Sequence, residues 1–147
     1  MKPGMKVLCC GHEDKGDDAV GPLVFQALRG MNVDAKRHTG DGLALIEAWR
    51  DADSVIIVDA VVTGRAAGTI CIVELTQELY ESSKCPTRAL AIPEAIKIAR
   101  ILNRLPREVW IYGIEGVSFQ AGTPACAEVL QSVEELARRI RDKVDAR

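Results

Sequence analysis

The sequence predicts an α/β fold, a three-layer sandwich in which a mostly parallel, twisted sheet has helices on both faces and one antiparallel strand. The main observation is that short apolar runs alternate with segments whose apolar residues recur at helical spacing. Such alternation is typical of a parallel sheet covered by helices. A second observation is that 147 residues without an internal repeat or linker predict a single domain, 1–147.

Three strands and two helices are predicted in the first half of the chain. The strands span 6–10, 33–38 and 54–59. We expect the first helix to begin at a cap formed by Asp17 or Asp18 and to end at Gly30. Its apolar residues at helical spacing are Val20, Leu23, Val24, Ala27 and Leu28. A turn at 39–42 leads into a second helix, which carries on one side Leu45, Ile46 and Trp49.

The second half adds two strands and two helices. The connection from Asp59 to strand 69–75 is too short for a crossover helix, so these neighbouring strands are expected to pair antiparallel. A last strand spans 109–114, and segment 76–91 has no clear pattern. Pro93 is expected at the first position of the third helix, whose inward residues are Ala95, Ile98, Ala99 and Leu102. The last helix is expected to bury Val129, Leu130, Val133, Leu136, Ala137 and Ile140.

Composition and charge exclude several classes of protein. Hydrophobic residues make up 48% of the chain and charged residues 27%, which predicts a packed core instead of disorder. A net charge of −2 gives no electrostatic reason to expect nucleic acid as a partner. No apolar stretch approaches the roughly 18–20 residues that a membrane-spanning helix needs, so no membrane partner is expected. Five cysteines without a signal peptide favour a reducing, cytoplasmic location.

Asp18 and Asp59 are the leading candidates for chemistry. Each follows an apolar run that is predicted to be a buried strand, Asp59 directly and Asp18 after a short loop. In an open α/β sheet the carboxyl ends of the strands line the ligand crevice. Two acids at that edge favour a metal ion or acid–base chemistry. The structural alternative is that Asp17 and Asp18 cap a helix and Asp59 only forms a turn.

Other residues near this edge are weaker candidates. His12 lies between the first strand and the acidic pair and could reach a metal held there, whereas His38 is interpreted as structural. Cys10 and Cys85 could supply soft ligands. Gly42 could bring the backbone close to a bound substrate or only form a turn. The chain has no dinucleotide fingerprint, nucleophile elbow or CxxC pair, so hydrolysis would depend on a metal or an activated water.

Six motifs together resemble the [NiFe]-hydrogenase maturation endopeptidases. In chain order they are Val7-Leu8-Cys9-Cys10-Gly11-His12, Gly16-Asp17-Asp18-Ala19-Val20-Gly21, Asp41-Gly42-Leu43, Val58-Asp59-Ala60-Val61, Pro93-Glu94-Ala95 and Gly113-Ile114-Glu115. They span nearly the whole chain in the order and spacing of the family. Each motif alone is weak, whereas the acidic motif combined with the strand-end Asp-Ala is fairly specific.

The resemblance implies an endopeptidase that removes a short C-terminal extension from the hydrogenase large-subunit precursor after nickel insertion. The precursor's nickel is the implied recognition element, with no organic cofactor. By position, Asp18 and Asp59 are the implied metal-contacting, catalytic side chains. The family has a His in a later loop as the third, and Arg88 takes that position here. Because Arg cannot ligate a cation, His12 or Cys85 compensates, the metal site is weakened, or cleavage is lost.

Three alternatives remain open. Arg88 could pair with one of the acids or bind a carboxylate of the substrate, and a family member with this change could bind the precursor without cleaving it. A phospho-receiver domain also places acids after its first and third strands, around Mg²⁺, but it ends its last strand with a Lys, where this chain has Ile114-Glu115. The third alternative is an α/β binding module whose acids are only caps.

Overall fold

A five-stranded sheet forms the centre of the fold. The computed structural model describes residues 4–38, 42–76 and 91–146. The strands are β1 (Met5–Cys10), β2 (Lys36–His38), β3 (Ser54–Val61), β4 (Ile70–Glu74) and β5 (Glu108–Glu115). Their order across the sheet is β2-β1-β3-β5-β4, in which β4 alone is antiparallel among these five strands. The predicted sheet, mostly parallel with one antiparallel strand, is confirmed.

Helices cover both faces of this sheet. They are α1 (Val20–Gly30), α2 (Gly42–Ala48), α3 (Ala91–Ile101) and α4 (Ala127–Asp145), with a short 3-10 helix (Gly16–Ala19) just before α1. On one face α1 packs with α4, and on the other α2 packs with α3. The predicted three-layer sandwich is therefore confirmed.

The central strand, β3, has all eight residues buried. A parallel strand that is covered on both faces carries a continuous apolar sequence, and the run before Asp59 is of this kind. Alternate side chains enter the two cores. Ile56 and Val58 belong to the core under α1 and α4, whereas Ile57 and Val61 belong to the core under α2 and α3. By this alternation Asp59 faces the α2–α3 side.

The start of α1 differs from the prediction. Ala19 is the N-cap residue, and no side chain caps the helix. The carboxylate of Asp17 binds backbone N–H groups about 100 residues further along the chain, and that of Asp18 binds the N–H of His12. The predicted cap of α1 by Asp17 or Asp18 is therefore wrong, because both carboxylates have other partners. The predicted end of the helix at Gly30 is confirmed.

β4 is antiparallel, as predicted, but its partner is β5 instead of β3. The reason is that β5 runs parallel to β3 and pairs with it along the whole length of both strands. β3 is then flanked by β1 and β5, which leaves β4 only the outer side of β5. The short connection between β3 and β4 consequently crosses the carboxyl end of β5.

Three predictions for helix residues are wrong in detail. α3 begins at Ala91, so Pro93 lies inside the first turn, where its missing N–H has no intrahelical acceptor to lose. Leu102 lies beyond the end of α3 and is 53% exposed. Leu130 is 49% exposed, because it lies about 100° around the helix from its buried neighbour Val129.

Of the segment 76–91, for which the sequence has no clear pattern, only residues 76 and 91 are among the described residues. The predicted site residue Arg88 and the candidate ligand Cys85 lie outside them. Within the described part of the chain, no helix combines the length and apolar character that crossing a membrane requires.

Candidate active site

Asp59 lies at the carboxyl edge of the sheet, as the sequence predicts. Asp59 is 1% exposed, and it pairs in register with Gly113 of β5. The backbone N–H of Ala60 donates to its Oδ1 at 2.9 Å. A side-chain carbon at Gly113 would come within 2.5 Å of Val61, so the position beside Asp59 stays without a side chain.

Asp18 reaches the same edge from the 3-10 helix that follows β1. The backbone N–H of His12 donates to its Oδ2 at 3.1 Å. Gly11 is essential for this approach: its φ is +127°, and a side-chain carbon there would collide with the carbonyl oxygen of Asp18. The loop from β1 therefore folds back tightly enough to return Asp18 to the end of the strand.

Cys10 connects the two acids. The register of β1 and β3 pairs Cys9 with Val58, so Cys10 and Asp59 follow at the same level of the sheet. Burial raises the pKa of the Cys10 thiol above its ordinary value. The negative charge of Asp59 raises that pKa further, and the charge of Asp18 does so as well. Gly11, the next residue after Cys10, lies against the backbone carbonyl of Asp18, so Asp18 and Asp59 both lie beside the carboxyl end of β1.

α1 also packs closely against this point. A side-chain carbon at Gly21 would collide with backbone atoms of Cys10. The absence of a side chain lets the amino end of α1, and the 3-10 helix before it, lie directly on the end of β1. Asp18 is thereby held beside the sheet edge by packing and by its hydrogen bond.

A cleft of about 660 Å³ opens next to Asp18, at the carboxyl ends of β1 and β2. It contains both histidines of the chain and is lined by Gly11, His12, Glu13, Asp14, Arg37 and His38. The residue His12 is exposed, and its backbone, not its ring, contacts Asp18. Arg37 lies 3.6 Å from the carboxylate of Glu13. The predicted site residue Gly42 is the first residue of α2, and its substrate contact stays a prediction.

Two buried acids at this edge have roles that the sequence analysis missed. The carboxylate of Asp17 accepts backbone N–H groups from the loop after β5 and from Cys126. That of Glu115 accepts N–H groups from Thr63 and Gly64. Their partners lie about 50 to 110 residues away, so no local signal could identify them. The only available hint was that Asp17 directly precedes Asp18 and that Glu115 ends a strand.

In residues 4–38, 42–76 and 91–146, no three side chains of His, Cys, Asp or Glu form a group that could hold a metal ion. His12, Asp18 and Asp59 are thus not grouped as three ligands in the described part of the chain, and the metal role of His12 stays a prediction. The two acids are potential ligands that leave most of a coordination sphere open. A metal ion bound by them would take its other ligands from outside the described residues, and a metal-loaded substrate is one source of them.

The topology also bears on the receiver alternative. The flavodoxin-like sheet of receiver domains has the strand order 2-1-3-4-5. This chain has the order 2-1-3-5-4, with an antiparallel edge strand. The two folds therefore differ at the side of the sheet where a receiver places the end of its last strand.

A family model for hydrogenase maturation proteases, of the HycI type, matches residues 40–143. The matched range includes Asp59 and most of the sheet, and Asp18 lies before it. Among curated protein sequences, none matches this chain significantly.

Solved structures with the same fold include three maturation proteases. The hydrogenase maturating endopeptidase HybD from E. coli is 19% identical, with a TM-score of 0.83 over 97% of this chain and 92% of that chain. The [NiFe] hydrogenase maturation protease HybD from Thermococcus kodakarensis is 22% identical, with a TM-score of 0.76 over 95% and 97% of the two chains. HycI from Thermococcus kodakarensis KOD1 is 21% identical, with a TM-score of 0.69 over 96% and 92%.

At such identities the solved structures establish the shared fold. The family model matches residues 40–143, which is well over half of the sequence. The resemblance found in the sequence motifs is thus confirmed, and the chain belongs to the hydrogenase maturation protease family.

Proposed function

We propose that this protein is an endopeptidase that removes the C-terminal extension of a nickel-loaded [NiFe]-hydrogenase large-subunit precursor. Membership of the hydrogenase maturation protease family supports the peptidase activity. The observation that supports the site is that Asp18 and Asp59, from separate elements, both lie beside the end of β1: the carbonyl of Asp18 lies against Gly11, and Asp59 is level with Cys10. Two acids that are far apart in the sequence thus lie at the edge where an α/β sheet binds ligands.

In this proposal the nickel belongs to the substrate. Carboxylate oxygens bind divalent cations, and two carboxylates at one edge attract a cation between them. The precursor already supplies ligands to its own metal, so Asp18 and Asp59 need only dock it. Docking would fix the scissile bond beside the acids, and such positioning accounts for a large part of many rate enhancements. The nickel itself would polarise the peptide carbonyl or a water molecule.

The hydrogen bonds around the acids suit this role. The N–H of His12 orients Asp18 through Oδ2, and the N–H of Ala60 orients Asp59 through Oδ1. A backbone N–H donor fixes the direction of a carboxylate without neutralising its charge. The two side chains are therefore preorganised for a cation that arrives with the substrate.

The test is cleavage of a nickel-loaded precursor by the purified protein and by Asp18→Asn and Asp59→Asn. Each substitution keeps the shape of the side chain and removes its charge, so we expect the rate of cleavage to fall by about 100-fold or more. Asp34→Asn, at an exposed position before β2, is the matched control and should cleave as the wild type does. Equal cleavage by all four proteins would contradict the proposal.

Nickel dependence needs a separate measurement. The wild-type protein should leave a nickel-free precursor uncleaved and should cleave it after nickel is restored. Cleavage of both forms at the same rate would show that Asp18 and Asp59 do not act through the metal of the substrate.

A second candidate function is binding of the precursor without cleavage. The observation that favours it is Arg88, which takes the position where the family resemblance implies a metal-contacting His. Arg has no lone pair to donate and remains protonated. In that case Asp18 and Asp59 would still dock the nickel, and the scissile bond would stay intact.

A further inference from the structure

Glu115, the last residue of β5, is a buried carboxylate that binds a turn. It is 2% exposed. Thr63 donates its N–H to both carboxylate oxygens, at 3.1 and 2.9 Å, and its hydroxyl to Oε1 at 2.5 Å. Gly64 donates its N–H to Oε2 at 3.2 Å. Because a buried charge is costly unless it is hydrogen-bonded, this set of donors indicates that the turn and Glu115 form one unit.

The same loop is also fixed at its far end. The N–H of Gly68 donates to the carbonyl oxygen of Glu115 at 2.9 Å, and the N–H of Glu115 donates to that of Thr69 at 2.8 Å. The hydroxyl of Ser132, in α4, donates to the carbonyl oxygen of Gly68 at 2.5 Å. The loop 62–68 between β3 and β4 is therefore anchored on both sides, to β5 and to α4.

The exposed residues of this anchored loop include one large apolar and one cationic side chain. Val62 is 54% exposed, and Arg65 is exposed. Within residues 4–38, 42–76 and 91–146, Arg65 has no ion pair. A loop fixed at both ends with an apolar and a cationic side chain on its outer surface has the form of a preorganised binding element.

The loop that carries Arg65 also begins close to Asp59, because β3 ends at Val61, only two residues after Asp59. Burial raises the pKa of the Cys71 thiol, and the guanidinium of Arg65 partly offsets that rise. Cys71 of β4 pairs with Gly113, and Gly113 pairs with Asp59. Because β4 pairs with the outer side of β5, the loop crosses the carboxyl end of β5 and lies at the same end of the sheet as Asp59.

We propose that the loop 62–68 is a substrate-binding arm, in which Arg65 binds a carboxylate of the peptide to be cleaved and Glu115 holds the turn in place. This inference rests on the proposed function and adds the substrate chemistry. Asp18 and Asp59 give the edge a negative potential, which repels an acidic peptide unless a cation compensates for it. A guanidinium binds a carboxylate through two parallel hydrogen bonds, and Val62 offers apolar contact next to it.

The test compares steady-state cleavage by two pairs of matched variants. Arg65→Ala is paired with Arg107→Ala, which removes an exposed arginine at the opposite, amino end of β5. Glu115→Gln is paired with Glu108→Gln, which removes the carboxylate at the other end of the same strand, where it accepts the hydroxyl of Ser54.

We expect Arg65→Ala to raise KM by about tenfold with kcat nearly unchanged, because a charged hydrogen bond to the substrate is lost. Arg65→Lys should have a KM between those of the wild type and Arg65→Ala, since it keeps the positive charge but cannot form two parallel hydrogen bonds to a carboxylate. Glu115→Gln should raise KM in the same direction, and both control variants should retain the wild-type KM. If the wild-type protein cleaves the precursor and Arg65→Ala has the same KM as the wild type, the inference is overturned. If Glu115→Gln fails to fold, the Arg65 variants decide.

Two further measurements identify the carboxylate and separate the inference from the proposed function. An amidated C-terminus and an extension with its acidic side chains changed to amides are each compared with the normal substrate. One of them should remove the sensitivity of KM to Arg65→Ala; if neither does, no carboxylate is bound. If the wild type cleaves nothing, the proposed function fails, and the Kd of the nickel-loaded precursor replaces KM. About tenfold weaker binding by Arg65→Ala supports the arm, and equal binding rejects it.

Discussion

The carboxylate of Asp17 accepts a 2.8 Å hydrogen bond from the backbone N–H of Cys126, the N-cap residue of α4. Its other oxygen accepts the N–H groups of Val117 and Ser118 at 2.8 and 3.1 Å. Burial opposes the ionisation of Asp17, but these hydrogen bonds outweigh it and lower its pKa. One ionised side chain therefore joins the segment that carries Asp18 to the loop after β5 and to the start of α4.

Removal of this charge is expected to destabilise the fold. In Asp17→Asn, the amide NH₂ would face backbone N–H donors, so we expect the free energy of unfolding to fall by about 3 kcal/mol. Asp18→Asn is the matched neighbour: among the described residues Asp18 accepts one hydrogen bond, from His12, and its loss should cost less than about 1 kcal/mol. Urea denaturation of both variants measures the difference. A loss at Asp17 no greater than at Asp18 would contradict this role.

The same carboxylate should make stability depend on pH in acid. Its pKa in the folded protein is lower than its ordinary value of 3.8, so the unfolded chain takes up a proton first as the pH falls. The stabilisation is fully present above the unfolded pKa and is lost as the pH falls through the folded pKa. The gap in unfolding free energy between wild type and Asp17→Asn should be constant near neutral pH and narrow below about pH 4. If the difference in unfolding free energy stays constant down to the lowest pH measured, Asp17 is not the source of the pH dependence.

Two glycines in α1 provide a matched test of the packing beside the site. A side-chain carbon at Gly21 would collide with Cys10, whereas nothing lies within 4 Å of one at Gly30. Gly21→Ala should therefore lower the free energy of unfolding by about 1–3 kcal/mol, the usual cost of overpacking. Gly30→Ala should be neutral or stabilise by up to about 1 kcal/mol. Thermal denaturation compares them, and equal stability of the two variants would show that α1 can move away from Cys10.

The buried thiols at the edge should be inert in the folded protein. Cys9 and Cys10 are both almost completely buried, and burial raises the pKa of Cys9 to about 12. Because the thiolate is the reactive form, we expect iodoacetamide to modify Cys126, which is half-buried, well before either of them. Mass spectrometry of the labelled peptides gives the order. Early modification of Cys10 would mean that the end of β1 opens to solvent.

The sequence was sufficient to predict the architecture and the positions of Asp18 and Asp59. Both predictions depend on local patterns, since apolar runs identify buried strands and the ends of parallel strands share one edge. The α1 cap was predicted wrongly for a physical reason. A carboxylate before a helix can bind that helix or a distant amide, and Asp17 binds amides that are close only in the folded chain.

The pairing of β4 and the role of Glu115 could not be predicted for a related reason. A short connection indicates that two strands run in opposite directions, but not that they are neighbours. β4 pairs with β5 because β5, much later in the chain, occupies the place beside β3. Glu115 then meets Thr63 only because that arrangement carries the β3–β4 loop across the end of β5. Both features depend on the spatial order of the strands across the sheet.

Arg88→His tests whether the third metal contact limits activity. An imidazole has a nitrogen lone pair that can ligate nickel, and a guanidinium does not. We expect the variant to cleave the nickel-loaded precursor at least about tenfold faster than the native chain, since changes to residues that only support metal ligands already alter affinity or activity by about 10–100-fold. The rate of precursor cleavage at fixed enzyme concentration measures this.

The controls separate a gain of ligation from a loss of charge. Arg107→His makes the same exchange at an exposed position at the amino end of β5 and should leave the rate unchanged. Arg88→Ala removes the charge without adding a ligand, so it should not reproduce the gain. Combined with Asp59→Asn, Arg88→His should lose its advantage, because a new ligand cannot act if the metal no longer docks. A native chain that already cleaves as fast as Arg88→His would instead mean that Asp18 and Asp59 suffice, with the remaining ligands supplied by the precursor.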